Sequence, residues 1–268
     1  MRSTSDLPIS QEARERRRRL RLRAVAENLA PFVITILILA AWQILVPWAK
    51  ISQLFLPTPS EILATMYIKR ALLISDTGVT LLEVMYGFVS AVVIGIPLAL
   101  GIFYSPLFGK AIYPILVALQ TVPKVALAPI LVMWFGFGIL PKIAISFLIA
   151  VFPIVISTVV GLMSLERDMV YLVQSMGANE LQTFLKIRLP TALPSIFGGL
   201  KVAIGLSIVG AVIGEYIAAE GGLGYRQLTA NIQFDSALNF AALMVIAACG
   251  MTTFAVVEAI ERLVIHRR

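Results

Sequence analysis

The chain has 268 residues, of which 59% are hydrophobic and 14% are charged, and its formal net charge is +7. Soluble globular domains carry about 25% charged residues, so this composition excludes the ordinary soluble enzymes and binding domains. The chain is instead typical of a protein that resides in lipid.

The chain begins with a basic arm, residues 1–30, that holds eight arginines. Basic runs also occur in nucleic-acid-binding segments, but this arm has no interleaved aromatic residues, contains Glu12, Glu15 and Glu27, and borders a hydrophobic segment. We therefore expect contact with membrane lipid and no nucleic acid. The positive-inside rule places the arm in the cytoplasm.

Six apolar runs follow the arm, and each is about long enough to cross some 30 Å of hydrocarbon as a helix. They cover 31–47, 80–102, 111–135, 139–163, 195–217 and 238–262. The predicted fold is therefore all-α and integral to the membrane, with about six transmembrane helices. The predicted units are the arm, a first transmembrane helix with its outer connection (31–79), a transmembrane core (80–262) and a tail (263–268).

Alternation across the membrane sets the side of each connection. Starting from a cytoplasmic arm, the connections 48–79 and 218–237 lie outside, while 103–110 and 164–194 lie in the cytoplasm. The tail then returns to the cytoplasm. Both termini are expected on that side.

The third run is predicted to be an irregular span. Pro114, Pro123 and Pro129 each lack an amide donor. Broken backbone at membrane depth is tolerated where protein or a water-filled cavity satisfies the freed groups. We therefore expect this span to line a pathway.

The connection 164–194 has a helix–turn–helix pattern. Ser164 is predicted to cap a first helix, Gly177 to end it in a left-handed conformation, and Asn179 with Gln182 to start a second helix. Leu189-Pro190 is predicted to stop the second helix. The apolar positions of this segment indicate a docking element, although a surface loop lying on the bilayer is also consistent with the pattern. The candidate docking residues are Met176, Gly177, Ala178, Asn179, Leu181, Phe184, Leu185, Ile187, Leu189 and Pro190.

The segment from Gly177 through nine residues to Ile187-Arg-Leu-Pro190 is similar to part of the "EAA" loop of ABC importer permeases. In that family this loop inserts into a groove of the ATPase. The positions where the family often has Glu-Ala-Ala are Tyr171, Leu172 and Val173 here. The resemblance implies that the cytoplasmic connection is an ATPase-coupling loop.

Three further stretches resemble the nitrate/sulfonate/taurine-type permeases of the same superfamily. They are Pro123-Lys-Val-Ala-Leu-Ala-Pro129, Trp134-Phe-Gly-Phe-Gly138 and the segment from Gly214 to Tyr225. The resemblance covers residues 75 to 262 and implies a MetI-like core of five helices with one extra N-terminal helix. It also implies a homodimer in the bacterial cytoplasmic membrane, two ABC ATPase subunits and an extracytoplasmic substrate-binding protein.

Charged residues in the spans are candidates for a pathway, because ionisable groups are costly in hydrocarbon. Lys124 attracts an anionic substrate in one interpretation. In the other it pairs with Glu83 or Glu215, or extends to the interface. The translocation-path candidates are Pro123, Lys124, Pro129, Glu215 and Gly224.

Small residues and isolated reactive groups have plain structural interpretations. The glycines between Gly198 and Gly214 are expected to let the fifth span approach another helix closely. The turn at 221–225 is either a flexible connection or part of an outer gate. Cys249 is expected to be a small buried hydrophobe, and His266 a solvated residue of the tail, so no metal site is predicted.

The sequence thus predicts the permease subunit of an ATP-driven importer of a small, anionic solute, and not an enzyme. The phosphate-binding pattern Gly-x4-Gly-Lys-Ser/Thr does not occur. We therefore expect no cofactor on this chain and use of ATP by the partner subunit. An ion-gradient-driven transporter or channel is the alternative, and an integral-membrane enzyme is a weaker one because no ligand cluster or nucleophile–base pair is evident.

Overall fold

The computed structural model describes the backbone of residues 11–218 and 220–265, and their side chains except those of residues 11–28 and Arg167. The arginines of the predicted arm and His266 lie outside the described side chains. The elements are α1 (Gln11–Trp48), α2 (Pro59–Ile68), α3 (Arg70–Tyr104), α4 (Pro106–Thr121), α5 (Lys124–Phe135), α6 (Ile139–Met163), α7 (Arg167–Ser175), α8 (Glu180–Thr183), a π-helical turn (Phe184–Arg188), α9 (Leu189–Ala218), α10 (Leu223–Ile232) and α11 (Ser236–Ile265).

The described part of the chain has five helical segments that are long and apolar enough to cross a membrane. They are α1 from Leu29 onward, α3, α6, the segment from α8 through α9, and α11. The bent pair formed by α4 and α5 makes a sixth if it counts as one span. The predicted all-α membrane fold with about six spans is confirmed.

The predicted bounds of the second span are wrong at its start. The apolar run begins at residue 80, but α3 begins at Arg70, so the end of the expected 48–79 connection is helical. The same connection contains α2, which starts with a capping box between Thr58 and Glu61. Polar residues such as Asp76 end an apolar run without ending a helix, and hydrophobicity alone therefore places the boundary too late.

The third run is broken once, not at each proline. α4 and α5 are bent by 99° relative to each other, and the break lies at Val122-Pro123. Val122 is extended, as expected for a residue that precedes proline. Pro114 and Pro129 lie inside α4 and α5, which continue through them.

α6 is the centre of the bundle and packs between α3 and α9. A Cβ atom on Gly210 of α9 would lie 2.6 Å from the Cα atom of Ser146 on α6, and Gly87 of α3 faces the same serine. The hydroxyl of Ser146 donates to the carbonyl of Ser207 at 3.0 Å. The predicted close approach of the fifth span is confirmed on this face, whereas Gly205 faces open space.

α2 packs against α11, and α1 packs against α2 and reaches α11 through Trp42. Trp42 packs against Phe240 with ring centroids 6.0 Å apart. Gln43 donates to the hydroxyl of Ser60 and accepts from its amide, at 3.0 Å in both bonds. Cys249 is buried in the cluster formed by these helices with α10, as predicted.

Replacing Gly210 by alanine tests the close packing of α9 on α6. The added methyl group would clash with backbone, so we expect Gly210→Ala to destabilise the protein by about 1–3 kcal/mol. Gly205→Ala is the matched control on the same helix, and we expect it to be neutral or stabilising by up to about 1 kcal/mol. Thermal unfolding of the purified protein in detergent measures both, and equal midpoints for the two variants would contradict this packing.

Candidate functional site

The 164–194 loop turns at Gly177, where φ is +88°. The Gly177 amide donates to the Gln174 carbonyl at 2.9 Å, and the Ala178 amide donates to the Val173 carbonyl at 3.3 Å. These two bonds form a Schellman motif, which glycine favours because it has no Cβ atom to clash at positive φ. The predicted left-handed end of the first helix is confirmed.

The second short helix of the loop begins with the predicted capping box. The Gln182 amide donates to the Asn179 side chain at 2.8 Å, and the Asn179 amide donates to the Gln182 side chain at 3.1 Å. The predicted role of Ser164 is wrong, since its hydroxyl donates to the Gly161 carbonyl at the end of α6. α7 starts after Glu166 instead.

The prediction that Leu189-Pro190 stops the second helix is also wrong. The helix continues from α8 through the π-helical turn into α9. Pro190 lacks an amide donor, and the ladder adapts because the Leu189 amide donates to the Phe184 carbonyl, five residues back. The loop is therefore joined directly to the fifth span.

The two faces of the loop differ. Phe184 and Leu189 pack inward against a buried cluster of α6 and α9. The other face of the loop carries apolar side chains that are exposed, among them Met176, which is 79% exposed. The exposed apolar set of the loop is Met169, Leu172, Met176, Leu181 and Leu185. Ala178 and Ile187 are partly buried.

The break between α4 and α5 carries the predicted lysine. The Lys124 ammonium group donates to the Gln120 carbonyl at 3.0 Å and lies 5.1 Å from the ring centroid of Phe152. It forms no ion pair with Glu83 or Glu215, contrary to one interpretation of the sequence. Pro123 and Pro129 are exposed beside it.

A buried charge network lies at the end of the bundle opposite the 164–194 loop. We use this name for Asp76, Thr80, Glu83, Lys142, Glu215 and Arg226. Lys142 of α6 pairs with Glu83 of α3, and their side chains are 7% and 0% exposed. Arg226 of α10 donates to Asp76 of α3 at 2.8 Å. These two ion pairs join three helices, α3, α6 and α10.

The first turn of α10 completes this network. The first amides of a helix have no partner within the helix, and they favour negative charge nearby. The Gly224 amide donates to Glu215, and the Leu223 amide donates to the Thr80 hydroxyl at 2.9 Å. Thr80 in turn donates to Glu215 at 2.6 Å. Gly222, with φ of +107°, donates to Asp76 at 3.3 Å.

Two of the predicted path residues lie at this network. Glu215 belongs to it, and the Gly224 amide donates to Glu215. Both residues are buried. Their role in a path stays a prediction. The turn at 221–225 begins a packed helix. Lys142 was not among the predicted residues, although a lysine inside an apolar run was a visible signal. Asp76 was missed because its segment was assigned to a connection.

Two other ion pairs involve residues near the ends of spans. Lys69 and Asp235 are 2.8 Å apart, and Lys201 and Glu261 are 2.7 Å apart. Partial burial raises the pKa of Asp235. Hydrogen bonds from Lys69 and from the Leu238 amide lower it by more than burial raises it, so the pKa lies below the ordinary value. Asp235 is therefore ionised at neutral pH and holds α11 near the start of α3.

Residues 91–268 match the family model described as "Binding-protein-dependent transport system inner membrane component". Among similar proteins is the formylaminopyrimidine transport permease protein ThiX of Halalkalibacterium halodurans. It is 35% identical over 244 residues, which are 90% of this chain and 97% of the relative. The taurine transport system permease protein TauC of Escherichia coli is 30% identical over 217 residues, which are 78% of this chain and 79% of the relative.

The riboflavin transport system permease protein RibX of Chloroflexus aurantiacus is also similar, with 32% identity over 236 residues, or 87% of this chain and 88% of the relative. Among solved structures, a chain of the MetNI methionine ABC transporter in an inward-facing conformation matches with a TM-score of 0.64 and 19% identity. The match covers 73% of this chain and 97% of that chain. The predicted MetI-like fold is confirmed.

Removing the cation of the buried network tests its contribution to stability. Lys142→Met leaves Glu83 buried without its partner, so we expect a loss of about 3–5 kcal/mol in the free energy of unfolding. Lys69→Met is the control, since its pair with Asp235 is partly exposed and is expected to contribute about 1 kcal/mol or less. Thermal unfolding in detergent measures both, and similar midpoints for the two variants would show that the network does not stabilise the bundle.

Proposed function

Because the chain belongs to the family of inner membrane components of binding-protein-dependent transport systems, we propose that it is the membrane-spanning subunit of an ATP-driven importer. The observation that carries the proposal is the 164–194 loop. It combines a rigid turn at Gly177 with an exposed apolar face and a direct helical connection into α9. Such a face needs a protein partner, and we assign that partner as an ABC ATPase.

The complex that we propose contains two copies of this chain, two ATPase subunits and a substrate-binding protein outside the bacterial cytoplasmic membrane. Both termini lie in the cytoplasm in this arrangement, as the basic arm supports. ATP is bound and hydrolysed by the partner, since this sequence has no phosphate-binding loop. The chain itself supplies the path and the mechanical connection, and catalyses no bond-making step.

The substrate in this proposal is a small solute that carries an anionic group. Lys124 supports it, because its ammonium group lies at the break of a span and no carboxylate among the described residues pairs with it. An ammonium group near a protein surface attracts anions more strongly than one in bulk water, because the effective dielectric constant there is lower. The taurine transport permease among the relatives is named for a substrate of this class.

The docking face is tested by placing a charge on it. Leu181→Glu puts a carboxylate in an apolar contact, so we expect the affinity for the ATPase to fall about tenfold or more, equivalent to about 1.4 kcal/mol. Leu107→Glu is the control, because Leu107 is exposed on the same end of the bundle but outside the loop. The ATPase encoded by the same host is titrated onto each purified variant, with insertion into membranes checked first.

Equal affinity for the two variants would mean that the ATPase does not dock on this face. Wild-type protein that binds no ATPase, but accumulates solute in vesicles under an ion gradient alone, would establish the gradient-driven alternative instead.

The path is tested at Lys124. We expect Lys124→Met to lower uptake of the solute carried by the host's binding protein by about tenfold, as loss of about 1.4 kcal/mol of attraction implies. Lys124→Arg retains the charge and should retain most of the uptake. Lys110→Met removes an exposed lysine from α4 and is the matched control. If Lys124→Met transports like wild type while the ATPase stays bound, Lys124 is structural and the solute need not be anionic.

A further inference from the structure

We infer that Arg188 is a positioning residue that joins the 164–194 loop to the ends of α3 and α6, so that movement of the loop reaches three spans together. The inference rests on the proposed function, because it concerns how force from the ATPase enters the bundle. α9 follows the loop without interruption. α6 meets the loop only through the non-helical residues 164–166, and α3 is not adjacent to it in the sequence, so side-chain contacts determine how these two helix ends sit against the loop.

Arg188 has contacts with both of these helices. It is the last residue of the π-helical turn, immediately before α9. Its Nη1 atom donates to the carbonyl of Leu162 near the end of α6 at 2.9 Å. Its guanidinium carbon lies 4.7 Å from the ring centroid of Phe103, near the end of α3. One half-buried side chain therefore spans three helix ends.

The chemistry of the two contacts suits arginine. The last carbonyls of a helix lack partners within it, and a cation at that end also interacts favourably with the helix dipole. Ser164 binds the Gly161 carbonyl, and Arg188 binds that of Leu162. The planar guanidinium group can donate this bond while it stacks on an aromatic face. A cation–π contact of this kind contributes about 0.5–2 kcal/mol.

A cavity lies beside Arg188, between the loop and the end of α3. A cavity of about 360 Å³ separates parts of α7 and α8 from the end of α3, and Arg188 lines it together with Phe103, Tyr104 and Phe184. The loop therefore does not rest on α3 along its whole length. Tyr104 and Phe184, whose ring centroids are 5.8 Å apart, provide a second contact to α3. Arg188 adds a hydrogen bond from the π-helical turn to α6, where Phe184 and Leu189 make only apolar contacts.

The test separates coupling from assembly. Wild type, Arg188→Met, Arg188→Lys and Lys201→Met are each reconstituted in vesicles with the host's ATPase and with the binding protein purified with its bound solute. Lys201→Met is the control, because it removes a basic residue and its pair with Glu261 from the same α9 without touching the loop. ATPase affinity, thermal midpoint, ATP hydrolysis and internal solute are measured on every sample.

We expect Arg188→Met to bind the ATPase like wild type. We also expect it to consume at least about fivefold more ATP per solute transported, a factor at the low end of those typical for coupling between two sites. Arg188→Lys keeps a cation near the carbonyl and the ring, so it should recover most of the coupling. Lys201→Met should keep the wild-type ratio. A residue that only stabilised the fold would change the midpoint and the amount of complex, but not this ratio.

A wild-type ratio of ATP to solute in Arg188→Met would overturn the inference and leave the proposed function intact. Wild-type protein that binds no ATPase would overturn the proposed function itself. If Arg188→Met does not assemble, Phe103→Leu decides the matter, because it removes the ring and leaves the bond to Leu162. A wild-type ratio in that variant overturns the inference, whereas a raised ratio supports it.

Discussion

The contact of α6 with α3 and α9 at Ser146 is the interaction on which the rest of the structure depends. Lipid offers little hydrophobic driving force for helices to associate, so close backbone packing and buried polar bonds hold the bundle together. Gly87 and Gly210 let both neighbours approach this serine, and its hydroxyl bonds to the Ser207 carbonyl. α6 packs closely against α9 along its length, at Ser157 and Gly161 as well as at Ser146. Lys142 near its start and Leu162 near its end take their places from this packing.

The 164–194 loop and the charge network consequently lie at opposite ends of the same helices. The segment from Glu180 to Ala218 is 39 residues long, or roughly 58 Å at 1.5 Å per residue. It carries Leu181 and Leu185 of the exposed face at one end and Glu215 of the charge network at the other. The loop and the network are therefore joined by one uninterrupted helical segment. α4 and α5 contact the bundle less extensively than α3 and α9 do, and they are bent by 99° relative to each other.

Local features were predictable from the sequence, and features that depend on the register between helices were not. Gly177 and the Asn179 capping box follow from a few neighbouring residues, and both were predicted correctly. The spans were recognised because their apolar runs are long. Their ends were misplaced because a helix can continue through polar residues such as Asp76, which bonds to Arg226. The Lys142–Glu83 pair could not be derived, since it requires α3 and α6 to be aligned in space and the sequence offers several carboxylates as partners.

The charge network also sets the cost of separating α10 from the rest of the bundle. In the described conformation, the amides at the start of α10 satisfy Asp76, Thr80 and Glu215. Moving α10 away would leave these acceptors and the amides without partners, and each unsatisfied buried group costs about 1–3 kcal/mol. Water must enter to replace the lost bonds. This end is therefore stable when α10 is fully docked or when the site is hydrated, and unstable between the two.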